Sequence, residues 1–155
     1  MLDAPNSRLV VDRATHSIRL TRHFAAPAEQ IFAAWTQPEH VRCWWDPTGE
    51  PLVSCEIDLR LGGAFSFVSR SHSEHPFAGT YLEISPPGRL VFEALGSKGT
   101  VSIEKTGEQT RLVVEIACPS AEHFEHFLQI GVHEGTERTL DNLVAYIGAL
   151  IIPTP

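Results

Sequence analysis

The stretch TRHFAAPAEQIFAAWTQPEHVRCWWDP, residues 21–47, decides the fold of this chain. Pro27 predicts the start of a helix, because proline has no N–H to leave unpaired in the first turn. Pro38 ends that helix and opens a second, short one, which runs into the adjacent Trp44 and Trp45. Each indole ring can bury about 150–250 Å². The pair must therefore cover either a solid core or the mouth of a cavity.

Strand patterns lie on both sides of this helical stretch. The segment Ser17–Phe24 alternates between apolar and polar residues, which predicts a half-buried strand. From residue 51 to 118 the period is again two, and turn residues such as Pro86-Pro87-Gly88 separate the runs. Consecutive strands joined by short turns form an antiparallel meander.

The C-terminal part returns to helical spacing from Ala121 to Ile151, and we expect a break near Ile130-Gly131 because thirty residues is long for one globular helix. The fold class is therefore α+β: a curved antiparallel sheet of about six to seven strands wraps around a long C-terminal helix, and two short helices follow the first strand. Residues 1–14 carry little pattern and are predicted to form a loose N-terminal arm before a single domain at 15–152.

Composition excludes several classes of function. The net charge is −7, with 12 Lys and Arg against 19 Asp and Glu, so the clustered positive charge that nucleic acid requires is missing. No run approaches the roughly 20 apolar residues of a membrane span. The first residues lack the pattern of a signal peptide, and three cysteines without CxxC spacing favour free thiols in a cytoplasmic protein.

Polar constellations in the sequence indicate no metal, cofactor or catalytic group. Eight histidines are present, and His126 and His133 each have a glutamate four residues away, yet no HExxH motif occurs. We therefore expect solvent-facing histidines and no bound metal. Glu93 and Glu115 lie in strands on the polar side, and Cys55 and Cys118 fall on apolar faces, where buried structural thiols are typical.

The aromatic residues are the stronger candidates for a binding site. Many of them fall where the sheet would meet the helix, and they would either fill a solid core or line a pocket for an apolar ligand. Small residues on the sheet-facing side of the helix leave room there, and Tyr81 and Thr139 offer polar groups that would orient a ligand. The predicted ligand-binding residues are Trp35, Trp44, Phe65, Phe67, Tyr81, Phe92, Phe127, Gly131, Gly135 and Thr139. Of the tryptophan pair, we expect Trp44 to carry the inward ring.

Four segments in order carry a resemblance to a known family. They are RHFAAPAEQIFAAWTQPEHVRCWW, LGGAFSF at 61–67, FAGTYLEISPPGRLVFEA at 77–94, and a C-terminal pair made of His133-Glu134-Gly135 and Leu140-Asp141-Asn142-Leu143. Together they resemble bacterial proteins of the family named for the activator of the heat-shock-protein-90 ATPase. That family belongs to the START-like, or SRPBCC, helix-grip superfamily, and the resemblance spans about residues 16–150.

The resemblance implies a helix-grip fold with a pocket between sheet and helix, and it implies no particular reaction. The superfamily includes lipid and hormone carriers, polyketide cyclases and self-sacrificing resistance proteins, so fold alone does not settle function. The chain departs from the family pattern at Thr136, where a tryptophan usually follows the helix glycine. If that tryptophan lines the pocket in relatives, this protein has a roomier or more polar site.

We therefore expect a protein that binds a small hydrophobic or aromatic molecule between sheet and helix. One alternative is an enzyme of the cyclase, dehydratase or hydrolase type, which would need an ionisable side chain converging on the cavity. Another is a chaperone-linked interaction module, as in the eukaryotic members that give the family its name, which would need a large exposed apolar patch. No motif indicates a homodimer, although nothing in the sequence excludes one.

Overall fold

The structure is a computed structural model that describes residues 7–150. Within these residues, eight strands form one antiparallel sheet, and four helices pack on it. In chain order the elements are β1 (Ser7–Asp12), β2 (Ser17–Phe24), α1 (Ala28–Thr36), α2 (Pro38–Trp44), β3 (Ser54–Ile57), β4 (Ala64–Val68), β5 (Phe77–Ser85), β6 (Arg89–Ala94), β7 (Ser97–Thr106), β8 (Gln109–Ala117), α3 (Ala121–Gln129) and α4 (Val132–Leu150).

The order of strands across the sheet is β1-β2-β8-β7-β6-β5-β4-β3. Strands β3 to β8 are the predicted meander, and β8 returns to pair with β2, so the first predicted strand and the last lie side by side. The long C-terminal helix packs on β2. The expected α+β helix-grip architecture is therefore confirmed, with eight strands in place of six to seven.

The extra strand comes from the segment predicted to be a loose N-terminal arm. Residues Ser7–Asp12 form β1, which pairs antiparallel with β2 at the edge of the sheet. Leu9 lies opposite Leu20 and packs against the core. The hydrogen bonds offered by the free edge of β2 order this segment, which has no clear alternation of its own. Residues 1–6, and residues 151 and 152 at the other end of the predicted domain, lie outside the described part of the chain.

The two short helices form as the prolines predict. Pro27 is the N-cap of α1, and Pro38 occupies the first turn of α2. The inward face of α1 includes Ile31 and Trp35, both almost fully buried. Helix α2 ends at Trp44, and Trp45 follows as its C-cap.

The predicted break divides the C-terminal helical region at Ile130-Gly131. Gly131 has a φ of +79°, the left-handed conformation that favours glycine, so helix α3 ends just before it and α4 begins just after it. Gly131 therefore lies in the connection and not on the long helix. Gly135 is on α4, and its N–H donates to the Gly131 carbonyl at 2.9 Å.

Helix α4 is fixed on the concave face of the sheet by apolar packing and by one buried cation. Leu140, Leu143 and Ile147 point from α4 into the core. Arg22, on the inward face of β2, is 1% exposed. Its Nε donates to Asp141 on α4 at 3.2 Å, and its other nitrogens donate to two backbone carbonyls. None of the helices within residues 7–150 is both long and apolar enough to cross a membrane.

Candidate functional site

A cavity of about 260 Å³ lies between the sheet and the helices. Its floor is formed by the inward faces of β6, β7 and β8. Helix α4 and the end of α3 form one wall, and α1 and the residues after α2 form another. The lining residues are Trp35, Trp45, Pro47, Phe77, Phe92, Ala94, Leu95, Ser97, Gly99, Val114, Ile116, Phe127, Val132, Gly135, Thr136, Thr139 and Leu140.

The walls of the cavity are apolar and rich in aromatic rings. Among the lining residues that the structure describes, no side chain is ionisable. Three of them carry hydroxyl groups. Each hydroxyl donates its proton to a carbonyl of the protein: Ser97 to Ala94 at 3.0 Å, Thr136 to Val132 at 2.7 Å and Thr139 to Trp45 at 2.9 Å.

The tryptophan pair divides between core and cavity in the opposite way to the expectation. Trp44 is fully buried away from the cavity, and its Nε1 donates to the Ala34 carbonyl of α1 at 3.1 Å. Trp45 lines the cavity and packs against Phe77, with ring centroids 5.1 Å apart. Successive side chains on a helical backbone point about 100° apart. Because the Trp44 ring faces α1, the Trp45 ring faces the sheet. The structure thus places Trp45 and not Trp44 at the cavity, although Trp44 is the more deeply buried of the two rings.

Trp45 is held in position by contacts from α4. Thr139 donates to the carbonyl of Trp45, and Asn142 donates to the carbonyl of Asp46 at 2.9 Å. Both donors lie on the same side of α4, three residues apart. The long helix thus satisfies carbonyls that follow α2, and it fixes the backbone from which the Trp45 ring reaches the cavity.

Of the ten residues proposed from the sequence, half line the cavity. These are Trp35, Phe92, Phe127, Gly135 and Thr139. Three others form a neighbouring aromatic cluster that leaves only about 10 Å³ of free space: Phe65, Phe67 and Tyr81. Trp44 lies in the core, and Gly131 lies in the connection between α3 and α4.

The aromatic cluster is packed because the inward rings of β4 and β5 reach each other. Phe65 lies 5.1 Å from Phe67 and 5.1 Å from Tyr81, measured between ring centroids. Burial raises the pKa of the Tyr81 phenol, and the neighbouring Cys55 thiol raises it further. This end of the sheet is therefore solid core, and the open space begins beyond Phe92, which borders both regions.

Several lining residues were not predicted, although strand alternation or an interior glycine in the sequence indicates their position. Val114 and Ile116 share the inward face of β8 that alternation predicts. Gly99 lies inside β7, and an interior glycine in a strand often marks the close approach of another group. That group is Phe92, whose ring would lie 2.4 Å from a Cβ at position 99. The ring thus rests on the bare backbone of β7 and leaves the space above it free.

The position that departs from the family pattern also lies on the cavity. Thr136 lines it, next to Gly135, and a Cβ at position 135 would have Pro47 as its nearest neighbour, 3.9 Å away. Two small residues in succession on α4 thus face a space that larger side chains would occupy. A tryptophan at position 136 would fill part of this space.

Nucleophiles and metal ligands do not converge on the cavity. Burial raises the pKa of the Cys55 thiol to about 11, against a smaller lowering by the Arg42 charge, and burial also raises the pKa of Cys118. Both thiols therefore stay protonated at neutral pH. Within residues 7–150, no three His, Cys, Asp or Glu side chains cluster closely enough to hold a metal ion.

A second depression, of about 350 Å³, lies on the opposite face of the sheet and is polar. Arg19 and Arg89 line it, and each is paired with a glutamate, Glu115 and Glu83 respectively. All four side chains are substantially exposed. Exposed ion pairs of this kind are typical of a solvated sheet face, so the apolar cavity is the stronger candidate site.

Solved structures with the same fold come from several bacteria. A protein from Rhodobacter sphaeroides has a TM-score of 0.82 and 23% identity, and the match covers 94% of this chain and 99% of that one. A protein from Nitrosomonas europaea has a TM-score of 0.78 and 22% identity, over 86% and 95% of the two chains. CalU16 from Micromonospora echinospora has a TM-score of 0.66 and 25% identity, over 94% and 87%. No curated protein matches the sequence significantly.

The sequence itself identifies the family. The family described as activator of Hsp90 ATPase homolog 1-like protein matches residues 25–148, a span that begins just before α1 and reaches nearly to the end of α4. The match therefore includes both short helices, the meander and the helix that closes the cavity. This chain belongs to the family of activator of Hsp90 ATPase homolog 1-like proteins.

Proposed function

We propose that the protein binds a small, predominantly apolar molecule in the cavity between the sheet and α4. The observation that carries the proposal is a cavity of about 260 Å³ whose described lining residues include five aromatic side chains and no ionisable one. An apolar cavity of about 150 Å³ is large enough to hold benzene. This cavity has room for a larger molecule, such as one with two fused rings.

The composition of the walls favours binding over acid–base catalysis. General acid–base chemistry requires a titratable group within hydrogen-bond reach of the substrate. The lining side chains instead present carbon surface and three hydroxyl groups. An apolar cavity between sheet and helix also supports a small-molecule partner more directly than a chaperone, which would require a broad apolar patch on the outer surface.

Native mass spectrometry of the purified protein, followed by a thermal-shift screen of lipids and aromatic metabolites, tests the proposal. A ligand at a hundred times its dissociation constant stabilises the native state by about 2.7 kcal/mol. For a chain of this length that corresponds to a rise in Tm of about 5–10 °C. The proposal is wrong if no class of apolar molecule shifts the Tm.

A cavity-filling variant shows where a ligand binds. Thr136→Trp places an indole in the cavity and should abolish the thermal shift while the protein stays folded. Ala145→Trp adds the same ring on the exposed side of α4 and serves as the matched control. An undiminished shift in Thr136→Trp would mean that the ligand binds elsewhere.

A further inference from the structure

The hydrogen-bonding groups on the cavity wall restrict the class of ligand, if the cavity binds a small molecule as proposed above. Ser97, Thr136 and Thr139 each use their hydroxyl proton to bond a protein carbonyl. A hydroxyl oxygen that donates one bond keeps lone pairs that accept others. These three side chains therefore present acceptors to a ligand, since their donors are already engaged.

The acceptors lie mainly on one side of the cavity. Thr136 and Thr139 are three residues apart on α4, so their side chains are neighbours on one face of the helix. Thr139 is 7% exposed, so little of its side chain reaches bulk solvent. A hydrogen bond made there would be stronger than the same bond in water.

Trp35 leaves one buried hydrogen-bond donor without a partner among the described residues. Its indole Nε1, a donor only, is buried and has no hydrogen-bond partner within the described residues. Trp35 lines the cavity, and its side chain is 6% exposed. An unpaired buried donor is uncommon in native proteins.

Charge on the ligand is disfavoured. No described lining residue carries a positive charge to pair with a carboxylate or a negative charge to pair with an ammonium group. Moving an unpaired charge out of water into an apolar site costs far more than a hydrogen bond returns. The ligand class is thus neutral.

From these observations we infer that the cavity selects a neutral aromatic molecule with a hydroxyl group, of the phenol or naphthol class. The hydroxyl donates to one of the three side-chain oxygens. The ring system packs against the aromatic walls, where Trp45, Phe77 and Phe92 offer edge and face contacts.

Isothermal titration calorimetry with three probes tests this inference. The probes are 2-naphthol, 2-methylnaphthalene, which has nearly the same shape but no hydrogen-bonding group, and 2-naphthoate, which is an anion. We expect 2-naphthol to bind at least about threefold more tightly than 2-methylnaphthalene, as one satisfied hydrogen bond provides. We expect 2-naphthoate to bind at least tenfold more weakly than either.

Variants assign the preference to the hydroxyl groups. The triple variant Ser97→Ala, Thr136→Val, Thr139→Val keeps the shape of the wall and removes its side-chain acceptors. It should lose the preference for 2-naphthol and retain 2-methylnaphthalene binding. Thr36→Val is the matched control, because Thr36 is a buried threonine of α1 whose hydroxyl also donates to a carbonyl and which does not line the cavity.

The outcomes separate this inference from the proposed function. Binding of 2-methylnaphthalene without a preference for 2-naphthol, or a preference that survives in the triple variant, overturns the inference and leaves apolar ligand binding intact. Failure of all three probes in the wild-type protein counts against both.

Discussion

The space above β7 exists because position 99 has no side chain, and Gly99→Ala should therefore shrink the cavity. A Cβ at this position would lie 2.4 Å from Cζ, 2.6 Å from Cε2 and 2.9 Å from Cε1 of Phe92. Ordinary carbon contacts begin near 3.4 Å, so the ring must retreat by about 1 Å, away from the sheet and into the cavity. Gly99 has no positive φ, so the alanine backbone itself is unstrained.

The expected cost follows from overpacking. Extra atoms in a packed core typically destabilise the native state by about 1–3 kcal/mol. Urea denaturation followed by tryptophan fluorescence measures this loss, and calorimetry with 2-methylnaphthalene should show weaker binding than in the wild type. Gly88→Ala is the control, because a Cβ there makes an ordinary contact, 3.5 Å from the Ile103 carbonyl.

A double-mutant cycle decides whether Phe92 is the cause. In Gly99→Ala with Phe92→Leu, the clashing ring atoms are absent, so the two changes should be coupled by about 0.5–3 kcal/mol in the favourable direction. A wild-type free energy of unfolding and an unchanged ligand affinity in Gly99→Ala would refute the argument that Phe92 rests on the bare backbone. Additive effects would also refute it.

Three further predictions concern the glycines of α4, the ion pair between Arg22 and Asp141, and the Cys55 thiol. A Cβ at Gly148 of α4 would meet no atom within 4 Å, so Gly148→Ala should raise the free energy of unfolding by about 0.5–1 kcal/mol in thermal denaturation. Gly135→Ala should give a similar gain in stability but should also weaken ligand binding, because Gly135 lines the cavity and Gly148 does not. Asp141→Ala leaves the buried Arg22 without its carboxylate and should cost about 1.5–3 kcal/mol in urea denaturation, whereas a loss below 0.5 kcal/mol would mean that the carbonyl contacts suffice. Burial raises the pKa of the Cys55 thiol to about 11. The protonated thiol therefore contributes fully to the free energy of unfolding below the unfolded pKa near 9, and this contribution is lost between pH 9 and 11. Alkylation of Cys55 in the folded protein should stay slow up to about pH 10, and rapid labelling at pH 8 would contradict this.

Local patterns in the sequence were sufficient for most elements. The alternation over Ser17–Phe24 gives this strand with its observed bounds, because one face of it is buried. Pro27 and Pro38 mark the helix starts through the missing N–H. Strand β1 could not be predicted from a local pattern, because it is stabilised by pairing with the edge of β2.

The cavity was harder to predict than the fold, for a geometric reason. Phe65 and Tyr81 lie on the inward face of the sheet, as alternation predicts. An inward ring lines a cavity, however, only where the opposite wall is too far away for the ring to pack against it. That distance depends on the curvature of the sheet and on where α4 crosses it. The choice between Trp44 and Trp45 depends in the same way on how α2 packs on α1.

The size of the cavity is itself an argument that it has a function. The walls of a space of about 260 Å³ have no protein atoms opposite them, so they lose the dispersion contacts that a packed core would give. Larger residues at Gly135 and Thr136 would remove much of this loss without a backbone change, because both sit on regular helix. A chain that keeps small residues at both positions therefore leaves room that folding does not require, and a bound molecule that fills the space would restore the lost packing.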